Sequence, residues 1–207
     1  MNNIDNLSNS AEAILLAAKK VFLQKGYAGA TTTEIARQAG VTHAMLHYYY
    51  GTKENIFIKI LESSAQEMMT SFSSALNSDL PFFEKIKVCI ELHFDFVVQN
   101  PTMPFFLLNE FISNVKNIKM AYPFLNPIMI SCYNILQEQI QNEVANNNIR
   151  YIEASHLLYN IISLNVCSVM IQPLSEHLFN INQEEYKAFL AQRKLENIEI
   201  IFNRLYK

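Results

Sequence analysis

The stretch TTTEIARQAGVTHAMLHYYYGTKENIF, Thr31 to Phe57, packs three capped helical starts into a short length of chain. Thr31 stands three residues before Glu34, the spacing at which a hydroxyl and a carboxylate satisfy each other's orphan amides at a helix start. Ile35, Ala36 and Ala39 then share one apolar face. Gly40 suits the left-handed residue that closes a short helix. Thr42 can cap a second short helix, whose inward residues are Met45 or Leu46 and Tyr49 or Tyr50. Thr52 can cap a third, with Lys53 and Glu54 in its first turn. Helix, glycine turn and short helix make a helix-turn-helix, whose second helix enters a DNA major groove.

Helical arithmetic turns His43, Ala44, His47 and Tyr48 outward from that second helix and leaves Leu46 and Tyr50 inside. The two imidazoles can meet base edges or phosphates, and Ala44 and Met45 can touch thymine methyls. The phenols of Tyr48 and Tyr49 suit phosphate oxygens. Lys53 adds a charge at a helix start already favourable to anions, and Thr32 can offer its hydroxyl and amide. His43 and His47 have metal-ligand spacing, but no third ligand lies near them in sequence. Thr32, Thr42, His43, Ala44, Met45, His47, Tyr48, Tyr49 and Lys53 are therefore the expected DNA contacts.

The first 60 residues or so resemble the DNA-binding domain of the TetR family of bacterial transcriptional regulators. Ile14, Leu15, Ala18, Val21, Phe22, Gly26 and Tyr27 match the family's first helix and its Gly-Tyr end. Ile35, Ala36, Ala39, Gly40, Val41, Thr42, Leu46, Tyr50, Thr52, Lys53, Glu54 and Ile56 match its helix-turn-helix and the start of its fourth helix. Ala44 lies where the family usually has glycine, His47 where tyrosine is common, and Tyr50 where phenylalanine is common. The resemblance places DNA contacts on the positions just named. It also implies a homodimer on a palindromic operator, and by analogy a repressor released by a small ligand. The C-terminal half matches only weakly, chiefly from Asn148 to Glu153.

Half of the 207 residues are hydrophobic, 17% are charged, and glycine and proline number only 4 and 6, which favours helices with short connections. Three cysteines, Cys89, Cys132 and Cys167, lie far apart and give neither a disulfide framework nor a zinc motif. No signal-peptide pattern occurs and no apolar run approaches the ~18 residues that span a bilayer, so a cytoplasmic protein with no membrane partner is expected. Net charge is −3, but residues 1–60 carry six Lys/Arg against four Asp/Glu while the rest carry ten against fifteen. The head is only mildly basic, so phosphate attraction is modest and salt-sensitive.

An all-α fold is expected: a three-helix DNA-binding domain over 1–52 and a larger helical ligand-binding and dimerisation domain over 53–207. Asn9 or Ser10 can cap the first helix, which runs to about Lys25. A helix from Lys53 to about Asn77 serves both domains. Pro81 and Asn100-Pro101 bound the next. A short helix from about Pro104 to Val115 carries Phe105, Phe106, Leu108, Phe111 and Ile112. Asn126-Pro127 opens a longer one to about Ala145, and the last two span about Ile152–Gln172 and Gln183–Tyr206. Leu158, Ile161, Ile162, Asn165 and Val169 on the former, with Phe189, Leu190, Ile198, Ile201, Phe202 and Leu205 on the latter, give apolar faces suited to a four-helix dimer interface.

Phe, Tyr and Met crowd the second domain, Met120 and Phe124 among them, mostly as core. The same residue types would line a pocket for a small, mostly apolar ligand, oriented by a few polar groups. His93, Asn109, Glu110, His156 and Asn160 interrupt apolar faces and are the polar candidates. Phe94, Met103, Phe106, Met129, Tyr133 and Tyr159 are the apolar ones. No cofactor is expected. An enzyme acting on lipid-like molecules finds no nucleophile-elbow, paired-carboxylate or metal-ligand spacing to support it. The remaining alternative is a helical carrier or interaction protein that has lost DNA binding.

Overall fold

The computed structural model describes residues 2–113 and 115–207, without the side chains of 2–9, 67–69, 111–113, 115–118, 120, 121, 124, 125 and 128. Phe111, Ile112, Met120 and Phe124 thus lie outside the described side chains. The described residues form ten helices and no strand: α1 (Asn2–Gly29), α2 (Thr32–Ala39), α3 (His43–Tyr50), α4 (Lys53–Leu76), α5 (Phe82–Gln99), α6 (Met103–Ser113), α7 (Val115–Ala145), α8 (Ala154–Met170), α9 (Gln172–Phe179) and α10 (Gln183–Leu205).

The chain divides into two compact units. Met1–Ala65 and Phe106–Leu125 form the first, and Gln66–Phe105 and Asn126–Lys207 the second. The division falls inside α4 rather than at Lys53, and the first unit recruits most of α6. The short helices α2 and α3 bury little on their own, and α1 and α6 complete their core. Ile14, Ala18, Val21 and Phe22 of α1 are buried with Ile35, Leu46, Ile56 and Phe57. Phe106 joins them, edge-on to Phe57 with ring centroids 5.9 Å apart.

The second unit is a bundle built on α5, α7, α8 and α10. Ile86 and Ile90 meet Leu136, Ile140, Leu157, Ile161, Ile198 and Leu205 in one buried cluster. A polar ladder runs through it. Arg193 Nη2 donates to Asn197 Oδ1 (2.6 Å), and Asn197 Nδ2 donates to Asn165 Oδ1 (2.9 Å). Asn165 Nδ2 donates to the Ile90 carbonyl (3.0 Å) and lies 3.2 Å from His93 Nδ1. An amide nitrogen can only donate, so His93 accepts at Nδ1 and is neutral with its proton on Nε2. Burial pushes its pKa down to about 4.

Several boundaries differ from those expected. Helix α1 starts at Asn2, so neither Asn9 nor Ser10 ends it. Helix α7 starts at Val115 and runs through Pro123 and Pro127, each of which removes one backbone bond without ending the helix. Helix α8 stops at Met170, and Pro173 sits in the first turn of α9, a helix not anticipated.

Candidate nucleic-acid interface

The starts of α2, α3 and α4 are each fixed by a side chain from their own sequence. Thr31 Oγ1 accepts from the Glu34 amide at 3.2 Å, and Gly40, at φ 70° and ψ 24°, returns its N–H to the Ala36 and Arg37 carbonyls. Thr42 Oγ1 accepts from the Met45 amide at 3.2 Å, and Gly51 closes α3 on the His47 carbonyl at 2.9 Å. Thr52 Oγ1 accepts from the Asn55 amide, while Asn55 Nδ2 donates to the Tyr50 carbonyl, which ties α3 to α4.

The caps orient α3 about one buried residue. Leu46 is fully buried, while Thr42, His43, Ala44, Met45, His47 and Tyr48 are exposed, Tyr48 at 80%. The His43 Nε2 lies 3.0 Å from the Thr32 hydroxyl, and the His43 and His47 rings meet edge-on at 4.4 Å. Thr32 is half-buried at the start of α2. Seven of the nine expected contacts therefore form one outward surface with Thr32 at its margin.

Lys53 and Tyr49 stand elsewhere. Lys53 Nζ donates to the carbonyls of Tyr27 (2.8 Å) and Ala30 (2.9 Å) and lies 4.5 Å over the Tyr27 ring. Its charge is committed to the carbonyls at the end of α1, which corrects the expectation of a free phosphate contact. The Tyr49 hydroxyl is buried with no hydrogen-bond partner among the described residues, so it does not face outward as expected. Tyr50 is half-buried rather than fully inside, and its hydroxyl donates to the Ala11 carbonyl at 3.0 Å. Burial, then the Glu12 charge, then Tyr49 raise its pKa.

Sequence reasoning missed one contact of the head altogether. Glu110 of α6 accepts from the Tyr27 amide at 2.8 Å, 83 residues away, and is only 7% exposed. It is not available to line a pocket, which corrects its expected role. Neither periodicity nor a motif could reveal it, because its partner is a backbone group.

The other candidates of the second domain are not gathered into one cavity. His93 is held in the ladder, Phe94 and Met103 are core, and Phe106 belongs to the first unit. Asn109 and Met129 are exposed, and Tyr133 donates to Glu153 at 3.1 Å. His156 and Asn160 share a groove of about 460 Å³ with Tyr151, Glu153 and Arg204, and Tyr159 beside them is exposed. A different cleft, about 550 Å³, is lined by Gln66, Thr70, Ser73, Ser74, Ser131 and Cys132, none of them anticipated. Nor do the expected dimer residues share a surface. Ile161, Asn165, Val169, Ile198, Ile201 and Leu205 are buried in their own unit, because the broad apolar faces of α8 and α10 are used up within the bundle. Leu158, Phe189, Leu190 and Phe202 are half-buried, and Ile162 is exposed. Among the described residues no three His, Cys, Asp or Glu side chains could hold a metal ion, and no single helix is long and apolar enough to cross a membrane.

Residues 14–60 match the model of the bacterial regulatory proteins of the tetR family. The transcriptional repressor NicS of Pseudomonas putida is 33% identical over 101 residues, 47% of this chain and 46% of NicS. The regulator QacR of Staphylococcus aureus is 26% identical over 158 residues, 76% of this chain and 72% of QacR. The activator FasR of Mycolicibacterium smegmatis is 27% identical over 84 residues, 41% of this chain and 38% of FasR. The chain thus spans less than half the length of NicS and of FasR. Among solved structures, FadR from Bacillus subtilis in complex with stearoyl-CoA superposes with a TM-score of 0.70 at 18% identity, covering 94% of this chain and 99% of that one. A tetR-family regulator from Shewanella sp. PV-4 gives 0.66 at 17% identity, covering 96% and 98%. Residues 14–60 thus carry the DNA-binding segment of the tetR family of bacterial regulatory proteins, and the all-α fold is shared with tetR-family structures along nearly the whole chain.

Proposed function

We propose that this chain is a transcriptional regulator that reads DNA with α3, as a homodimer on a palindromic operator, and that a small ligand releases it. The observation that carries the reading is the exposed face of α3. His43, Ala44, His47 and Tyr48 stand outward on a helix pinned by Leu46 beneath and by Thr42 and Gly51 at its ends. Such a helix can enter the major groove without moving its own backbone. The Thr32 hydroxyl holds one nitrogen of His43 and leaves the other for a base edge or phosphate. Tyr48 reaches furthest and meets a phosphate or stacks against a sugar. The amides at the starts of α2 and α3 supply the positive ends of two helix dipoles, which support a head with little net charge.

Two heads bind one palindrome only when their α3 helices are spaced for successive turns of the groove, about 34–36 Å. Helices α8 and α10 leave Tyr159, Ile162 and Leu195 exposed, which supports a dimer through their outer sides rather than through the buried residues first expected. The ligand is a small, mostly apolar molecule taken up by the second unit. The stearoyl-CoA held by the similar FadR chain supports testing acyl chains and their thioesters first. Repression with release by ligand is the mode proposed, since a ligand that prefers one state shifts the equilibrium toward it.

Selection of binding sequences from a random DNA pool, followed by footprinting, tests the core of this reading. Enrichment of one palindrome, with two protected half-sites a helical turn apart, is the expected result. A pool that stays random after several rounds would sink the regulator and leave the carrier. Addition of acyl chains to the protein–operator complex should then release DNA.

A further inference from the structure

We propose that Glu110 is a positioning residue for DNA reading: from α6 it holds the Tyr27 peptide, and with it the turn from which α2 and α3 are hung. The inference rests on the DNA-reading function proposed above and extends it to a residue outside the helix-turn-helix.

The connection between α1 and α2 is a weak point of the head. At Gly26 the backbone turns to φ 70° and ψ 170° and interrupts the helical ladder. Around this turn the Tyr27 N–H and the carbonyls of Tyr27 and Ala30 bond to side chains. Two side chains from elsewhere in the unit take these groups. Lys53 at the start of α4 covers both carbonyls, and Glu110 takes the amide at 2.8 Å. The Tyr27 backbone is thus held at its N–H by an anion and at its carbonyl by a cation.

The fit at Glu110 is close. A methyl group built on Gly26 would lie 3.1 Å from its Oε1, so a side chain at position 26 would press the carboxylate back by a few tenths of an ångström. One turn earlier on the same face of α6, Phe106 packs edge-on against Phe57, and Phe57 lies 4.8 Å from the Tyr27 ring. Phe106 and Glu110 together form a two-point seat. The aromatic ring supplies contact area, and the carboxylate supplies direction. A hydrogen bond to a charged acceptor in such a buried place is stronger and more exacting than one at the surface. A rotation or slide of α6 withdraws the acceptor and frees the turn. DNA affinity is therefore set partly by a residue that never approaches DNA.

The test uses the full chain carrying Glu110→Ala, Glu110→Gln or Glu110→Asp, with two readouts. One is hydrogen exchange at the Tyr27 amide, and the other is affinity for the operator obtained by pool selection. Ala removes the acceptor and Asp withdraws it by one methylene, and each should raise Tyr27 exchange at least about tenfold and weaken operator binding about tenfold. Gln keeps an oxygen of the same reach and should stay within about threefold of wild type on both. Should the Ala variant fail to fold, the contrast between Gln and Asp decides. A merely structural role would lower the melting temperature of all three together without separating Gln from Asp. Equal behaviour of Gln and Asp overturns the proposal, and so does a folded Ala variant that keeps wild-type Tyr27 protection or wild-type operator affinity. If the wild type selects no DNA, the DNA reading has failed, and this role falls with it. Exchange at Tyr27 still reports whether the hydrogen bond exists.

Discussion

Leu46 and Tyr48 stand two positions apart on α3 and should respond oppositely to truncation. Tyr48→Ala removes an exposed ring, so it should leave the melting temperature alone while weakening operator binding by about 1–3 kcal/mol. Leu46→Ala opens a cavity under the helix and should destabilise the fold by about 2–5 kcal/mol. Equilibrium unfolding beside a binding titration separates the two, and a Tyr48→Ala protein that binds normally removes that residue from the interface. His93 supplies a second expectation. Its folded pKa, about 4, lies below its ordinary value of 6.5, so the unfolded chain takes up the proton first. Its contribution is therefore intact above pH 6.5 and lost as pH falls toward 4, by up to about 3 kcal/mol. Urea unfolding between pH 7 and 4.5 should show wild type losing more stability than His93→Gln, and parallel losses would count against the buried neutral ring. At this scale the sequence discloses which way a residue faces, not what it holds. Periodicity turned Leu46 and Tyr50 inward and His43 and Tyr48 outward. It could not say that Lys53 binds two carbonyls more than 20 residues back, or that Glu110 binds an amide, because backbone groups carry no residue-type signature.

Among the helices, the start signals were the most legible features. Thr31, Thr42 and Thr52 each accept the amide bond that their spacing foretold, because a cap and its target lie within three residues of each other. Proline was misleading in both directions. Pro127 reads as a helix opening but lies inside α7, and Pro173 starts α9 where a simple end to α8 was expected. Whether a proline ends a helix depends on packing that compensates the lost bond, and that packing is tertiary. Two glycines allow an ordered comparison. Gly40 occupies the ordinary left-handed region with open space around it, so Gly40→Ala should cost only the strain of that region, about 1–2 kcal/mol. Gly26 lies in a region almost restricted to glycine and has a carboxylate against it, so Gly26→Ala should cost more. Thermal unfolding of the pair gives the order, and a Gly26 variant as stable as the Gly40 one would contradict it.

For the molecule as a whole, the fold class and the helix-turn-helix could be read in advance, whereas the surfaces between copies could not. An apolar stripe on α8 or α10 looks the same in sequence whether it faces the bundle or a second chain. Burial separates them, and it assigns Ile161, Ile198 and Ile201 to the bundle and leaves Ile162 outside. On the dimer proposed above, Ile162→Glu should give a folded protein that sediments as a monomer and binds operator poorly, while Ile201→Glu should not fold. A dimer of unchanged mass in the Ile162→Glu protein would move the interface elsewhere.

The ladder from Arg193 through Asn197 and Asn165 to His93 has a consequence for the bundle. Apolar side chains tolerate a small slip of one helix along another, since any methyl can find a new hollow. An amide that misses its acceptor finds nothing. The four polar side chains act as detents that lock α5, α8 and α10 at one axial setting. Replacing Asn165 and Asn197 together by leucine would leave His93 and Arg193 without their ladder partners, lower stability, and free the bundle to settle at several settings, visible as multiplied side-chain resonances.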